Sequence, residues 1–190
     1  YQIPDPTTGK NRAWTRATTI AKTLEDGTNL SAWKCARTAV GVATRPSIQA
    51  GIVAAQDDKH QLRQLVDQAM EAAGANEKRE LGTNLHRILE LVDTGRMTID
   101  EVPDPWAKDV RAYRSRLAEL GLTVRPDLCE VILLHRPLEI AGTCDRIYED
   151  HEGRLVFADI KTGGYIGWLS FAMQFAIYST ATHTYNPADN

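Results

Sequence analysis

Two acids and a lysine, close together along the chain, carry the chemistry that this sequence could do. The run Ala141-Gly142-Thr143-Cys144-Asp145-Arg146-Ile147 is followed by Phe157-Ala158-Asp159-Ile160-Lys161-Thr162-Gly163, and both read as strands. Alternation in an extended strand puts Asp159 and Lys161 on one face with Leu155 and Phe157. Between the runs, His151-Glu152-Gly153 reads as a three-residue hairpin loop with glycine at its left-handed position. With Asp150 paired to Arg154, Asp145 falls opposite Asp159. Cross-strand neighbours have Cβ atoms roughly 5 Å apart, and like charges there destabilise a sheet. Such a pair calls for a cation between the carboxylates. Mg²⁺ suits that place, because a few carboxylates hold it and leave room for phosphate oxygens. Lys161 can reach an attacking water. Metal charge disfavours its protonated form and the carboxylates favour it. Its first role is therefore to orient and stabilise, with general base as the second. Glu130 opens a strand on the face of Ile132 and Leu134, either as an ordinary strand-end acid or as a further acid of the site.

Helices must position these strands. Leu62, Leu65, Val66, Ala69, Met70 and Ala73 trace one apolar stripe over 60–73, which Gly74 ends. A second helix runs from about Glu77 to Asp93 through Leu81, Leu85, Ile88, Leu89 and Val92, with His86 at the edge of its stripe. Gly82 lies one turn before His86 on the same side. Glycine costs a helix about 1 kcal/mol against alanine, so it calls for a packing or access reason there. Pro103 and Pro105 precede a helix over about 106–120, closed by Gly121. Strands are expected near 128–135, 138–149 and 154–162, then a helix from Trp168 to about His183, on which Gln174 and Tyr178 are neighbours at i, i+4. Residues 1–14 read as an extended polar arm and 1–75 as a helical amino-terminal region. Residues 76–190 form the core, within one domain overall. A strand after the last helix is expected to fall beyond Asn190.

The 190 residues can bury one substantial core. Hydrophobic content of 43% and charged content of 25% are those of soluble globular proteins, with no run of membrane-span length. Residues 1–50 hold seven lysines and arginines against three acids, a net of +4, so the rest carries −7. A basic amino-terminal region can supply phosphate contacts through Lys10, Arg12 and Arg16. Cys35, Cys129 and Cys144 show no C-x-x-C spacing, which points to reduced thiols and a cytoplasmic setting.

Asp145 with Asp159-Ile160-Lys161 resembles the signature of the PD-(D/E)XK nuclease superfamily. Gly142-x-x-Asp145 and Gln174-x-x-x-Tyr178 are closer to its RecB-like exonuclease branch, which includes nucleases of phage and CRISPR systems. The branch's upstream Gly-Thr-x-x-His is matched by Gly82-Thr83-Asn84-Leu85-His86. These four motifs, in order, span roughly residues 79–185. Cys144 stands where the superfamily pattern has proline. The resemblance implies an α/β (α+β) restriction-endonuclease-like core: a mixed sheet with an antiparallel three-strand meander, flanked by helices. It implies a Mg²⁺- or Mn²⁺-dependent DNA exonuclease of phage or bacterial recombination, repair or DNA processing, acting in the cytoplasm (the host's, if phage-encoded). His86, Asp145, Asp159 and the carbonyl of Ile160 would hold the metal. Asp145, Asp159, Lys161 and Glu130 would carry the chemistry. Gln174, Tyr178 and Thr162 would contact substrate or Lys161. The four-cysteine iron–sulfur cluster of some relatives is not expected with three cysteines. DNA is the implied partner, with a homo-oligomer or a recombination partner protein left open. An endonuclease of the same superfamily, or an inactive DNA-binding or assembly protein on that fold, stands as the alternative.

Overall fold

Short strands open the chain. In the computed structural model, which describes residues 1–162 and 167–186 apart from the Lys78 side chain, β1 (Gln2–Pro4) and β2 (Asn11–Ala13) form an antiparallel pair. Asp5 shapes their turn, its Oδ1 accepting from the N–H groups of Thr7 (2.8 Å) and Thr8 (3.2 Å). β3 (Thr15–Arg16) leads into α1 (Ala17–Lys22), and then α2 (Thr28–Thr44), α3 (Pro46–Ala54) and α4 (Lys59–Ala72) follow. Asp58 caps α4 by accepting from His60 and Gln61 N–H, and Gly74 leaves it at φ +71°. α5 (Glu77–Asp93) has the bounds that its apolar stripe implies, with Glu77 and Glu80 at its positive end. α6 (Ala107–Glu119), β4 (Thr123–His135), β5 (Ile140–Glu149), β6 (Leu155–Ala158), α7 (Trp168–Ser179) and β7 (His183–Tyr185) complete the order.

The main sheet is mixed. Its order is β3-β5-β4-β7, with β6 also paired to β5. β3 runs parallel to β5, and β4, β6 and β7 pair antiparallel. A strand, β7, follows the last helix among the described residues, where one was expected only beyond Asn190, and the helix itself stops at Ser179, short of the expected His183. The chain divides into two units, Tyr1–Glu25 with Asn84–Asn190, and Asp26–Thr83. The boundary thus differs from the expected 1–75 and 76–190. Residues 1–16 are strand-forming and sit with the sheet, because β3 adds to β5 and Trp14 is buried with Ile3, Ile132, Leu134 and Ala141. On the other face, Val131, Leu133, Cys144 and Ile147 pack with Ala17, Ile177 and Tyr178. A third cluster joins Ile88 and Leu89 of α5 to Val110 of α6, with Ile160 against it. In the helical unit, α2 and α4 cross closely at Gly41, where a Cβ would lie 1.8 Å from the Ala69 carbonyl oxygen. Among the described residues no helix is long and apolar enough to cross a membrane.

Candidate metal centre

The meander brings three acids into one row. β5 and β6 pair as Arg146↔Ala158 and Glu149↔Leu155, the register that sets Asp145 opposite Asp159. Asp150 N–H donates to the Arg154 carbonyl at 3.0 Å and Gly153 takes φ +76°, so the hairpin loop is the expected one. β6 is shorter than 154–162. It stops at Ala158, because the Ile160 N–H turns to Asp145 Oδ2 (2.7 Å) and the Ile160 side chain joins the α5–α6 cluster. On the other flank, Cys129↔Arg146 and Val131↔Cys144 place Glu130 opposite Asp145. Glu130 adopts φ +54°, a left-handed conformation uncommon for a side chain of its size, beside a register irregularity in β4.

His86 of α5, Glu130 of β4 and Asp145 of β5 gather with one donor atom each inside 4.8 Å. His86 Nδ1 is 3.6 Å from Asp145 Oδ2. One imidazole nitrogen and two carboxylates suit a divalent cation such as Mn²⁺ or Mg²⁺. The electrostatics fit as well. Burial first, and the Asp159 carboxylate second, raise the Asp145 pKa, opposed by the Ile160 N–H, His86 and Lys161. Glu130 is raised by burial and then by Asp145, with Arg146 acting against both. A cation among these acids relieves what burial and repulsion impose.

Asp159 lies outside that trio, a departure from the expected ligand set. Its Oδ1 accepts from Gln174 Nε2 at 3.0 Å, and Lys161 Nζ pairs with its Oδ2, which has no further hydrogen-bond partner among the described residues. The side chain is 5% exposed, so the ammonium is what balances it. Lys161 is 41% exposed and also lies over the Phe171 ring, 5.5 Å from its centroid. Asp159 and Lys161 do meet, but through that ion pair and not by strand alternation, since both lie past the end of β6. Ile160, expected to offer its carbonyl, engages Asp145 through its N–H.

Gln174 reaches Asp159, so it supports the acid that Lys161 pairs with. Tyr178 is not placed to touch a substrate. It is 1% exposed, donates to the Thr143 carbonyl at 2.6 Å and accepts from Gln174 at 3.0 Å. Gly142 makes room for it: a Cβ there would sit 2.6 Å from Tyr178 Cε1 and 2.8 Å from Ala17 Cβ. Thr162 is exposed, and Gly163 lies outside the described residues. Gly82 is buried within α5, and the Thr83 hydroxyl donates back to the Arg79 carbonyl at 3.0 Å. Cys144 is fully buried, its thiol pushed up to about 12 chiefly by burial, and it lies 3.6 Å from the Ala158 carbonyl. Of the basic residues near the start, Arg12 is engaged with Asp5 (3.2 Å) and Glu139, and Arg16 lies over the Tyr1 ring.

The sequence reading passed over Arg146, Asp93 and Tyr113. Arg146 is 1% exposed and donates from Nε to Asp93 Oδ2 at 2.7 Å and from Nη1 to Glu130 at 3.2 Å. Tyr113 donates to the same Asp93 oxygen at 2.7 Å. The available signal was an arginine between Cys144 and Tyr148 in a buried strand, where an uncompensated charge is too costly to persist. Compared with protein-family models, with curated proteins and with solved structures, the chain finds no match in any of the three.

Proposed function

We propose that this chain is a divalent-metal-dependent nuclease that hydrolyses DNA phosphodiester bonds, with a restriction-endonuclease-like core of the RecB-like exonuclease kind. The observation that carries the reading is the convergence of His86 from α5, Glu130 from β4 and Asp145 from β5 beside the Asp159–Lys161 pair, which follows the end of β6. His86, Glu130 and Asp145 would hold Mg²⁺ or Mn²⁺. When bound, such an ion offsets charge developing on the phosphate and lowers the pKa of a coordinated water. The protein's own parts are distinct. The Ile160 N–H fixes the Asp145 carboxylate. Asp159, held by Gln174, places the Lys161 ammonium at the site's exposed edge. From there Lys161 orients the attacking water by hydrogen bonding and stabilises negative charge on the phosphate oxygens.

Incubating linear and circular DNA with Mg²⁺ or Mn²⁺, with and without EDTA, tests the proposal. Metal-dependent loss of linear DNA alone is the expected result. Loss of both forms makes the protein an endonuclease on the same residues, and no loss of either form contradicts the reading.

A further inference from the structure

The three donors of the proposed metal centre come from separate elements, and one of them is held by an unusual device. Glu130 carries its carboxylate on a left-handed backbone (φ +54°), a conformation that persists in a bulky residue only where its surroundings enforce it. Its carboxylate is held from behind by Arg146. Arg146 Nη1 donates to Glu130 Oε1 at 3.2 Å and also to the Asp145 backbone carbonyl, so one guanidinium nitrogen ties two donor strands together. The other side of the guanidinium is anchored, with Nε on Asp93 Oδ2 at 2.7 Å. Asp93 is 5% exposed and is itself fixed by Tyr113, whose hydroxyl meets that of Tyr148 at 2.8 Å. Arg114 lies 3.7 Å from the second Asp93 oxygen.

Asp93 and His86 sit on the same helix, seven residues apart. At 3.6 residues per turn that is about two turns, so both side chains leave α5 on one side. α5 therefore reaches the donor cluster twice, directly through His86 and indirectly through Asp93 and Arg146. We propose that Arg146, braced on Asp93, is the positioning residue of the metal centre: it holds Glu130 in place as the third donor and sets the spacing between Glu130 and Asp145. This rests on the cluster being a metal site, as proposed above. Groups that orient a ligand from behind typically change metal affinity by about 10–100-fold when replaced.

The test is Mn²⁺ affinity, by equilibrium binding monitored with electron paramagnetic resonance, in four proteins: the parent, Glu130→Gln, Arg146→Lys and the double variant. Lysine keeps the charge but loses the two-sided grip. Arg146→Lys is expected to weaken Mn²⁺ binding by about tenfold or more while retaining the parent's circular dichroism. Glu130→Gln is expected to add little in the Arg146→Lys background, because Glu130 is already out of place there. Parental affinity in Arg146→Lys, or fully additive losses, overturns the positioning role while leaving the metal site standing. A parent that binds no Mn²⁺ removes both. A second measurement needs no variant. In a Mg²⁺ titration followed by NMR, the buried Arg146 Nε–H resonance is expected to shift in step with the His86 ring. A His86 response without one from Arg146 contradicts the proposal even if Arg146→Lys fails to fold.

Discussion

At the residue scale, chemistry and support fall on different side chains. Lys161 is the exposed member of its pair with a nearly buried aspartate, so its removal acts in two ways. Lys161→Ala is expected to lower single-turnover DNA cleavage by about 10²–10⁴-fold, the usual cost of losing a positioned proton-transfer or electrostatic group. It also leaves Asp159 Oδ2 buried without a counter-charge, so the metal-free melting temperature is expected to fall. Mn²⁺ binding should survive, because Lys161 pairs with Asp159 and acts on the donor trio only through its charge, whose removal does not weaken attraction for a cation. Asp150 offers a separate, pH-dependent test of the hairpin. Its Oδ1 accepts from the N–H groups of Glu152 and Arg154, both at 2.9 Å, and its Oδ2 meets Arg154 Nε at 2.8 Å. The Arg154 backbone and side-chain bonds hold its pKa down to about 2 from 3.8. A carboxyl depressed by folding contributes stability above its unfolded pKa, and that contribution is lost as pH falls through the folded one. The stability difference between the parent and Asp150→Asn is therefore expected to be constant above pH 3.8 and to shrink as pH drops towards 2, read by denaturant unfolding at each pH.

At the scale of elements, the periodic segments were the legible ones. The apolar stripe of α5 has the same bounds in the structure as in the sequence. The hairpin register that sets Asp145 opposite Asp159 could be read from the residues on either side of Gly153. What broke the reading was local competition for backbone groups. Lys161 was expected in a continuing strand, but the Ile160 N–H is taken by the Asp145 side chain and β6 ends early. Strict alternation also fails in β5, where Cys144 and Ile147, three apart, share one core cluster. Alternation put Glu130 at the start of a strand on the face of Ile132 and Leu134, but β4 begins at Thr123 and Glu130 lies inside it with a positive φ that breaks the alternation. Tyr178 was read as a substrate contact, since no periodicity records that Gly142 leaves a space of its size. That fit is testable. Gly142→Ala puts a methyl group 2.6 Å from the Tyr178 ring, and overpacking of this kind costs about 1–3 kcal/mol. Tyr178→Phe strips the part-buried Thr143 carbonyl of its 2.6 Å hydroxyl partner, at about 1–3 kcal/mol. Both losses are expected in chemical denaturation. Unchanged midpoints would remove the close-packing account of the Gly142-x-x-Asp145 motif.

For the whole molecule, composition misled more than it informed. A net charge of −3 hid a basic first quarter, yet Arg12 there is occupied by Asp5 and Glu139. The first 25 residues belong with the sheet unit, through strands of two or three residues that are too short for alternation to mark. Residues 26–83 form the helical unit alone. The donor trio falls wholly within the sheet unit, so metal binding is expected to stabilise that unit by mass action. Asp145 is the group on which the account turns, since it meets His86, the Ile160 N–H and the repulsion of Asp159. Asp145→Asn keeps its size and an acceptor for Ile160 but removes the charge that draws a cation. The decisive measurement is single-turnover cleavage of end-labelled linear DNA in Mn²⁺ by the parent and by Asp145→Asn, alongside the thermal shift that Mn²⁺ produces in each. The parent is expected to cut DNA and to gain melting temperature with Mn²⁺, whereas Asp145→Asn, folded and at least as stable without metal, should do neither. Cleavage by Asp145→Asn at the parental rate would contradict the account.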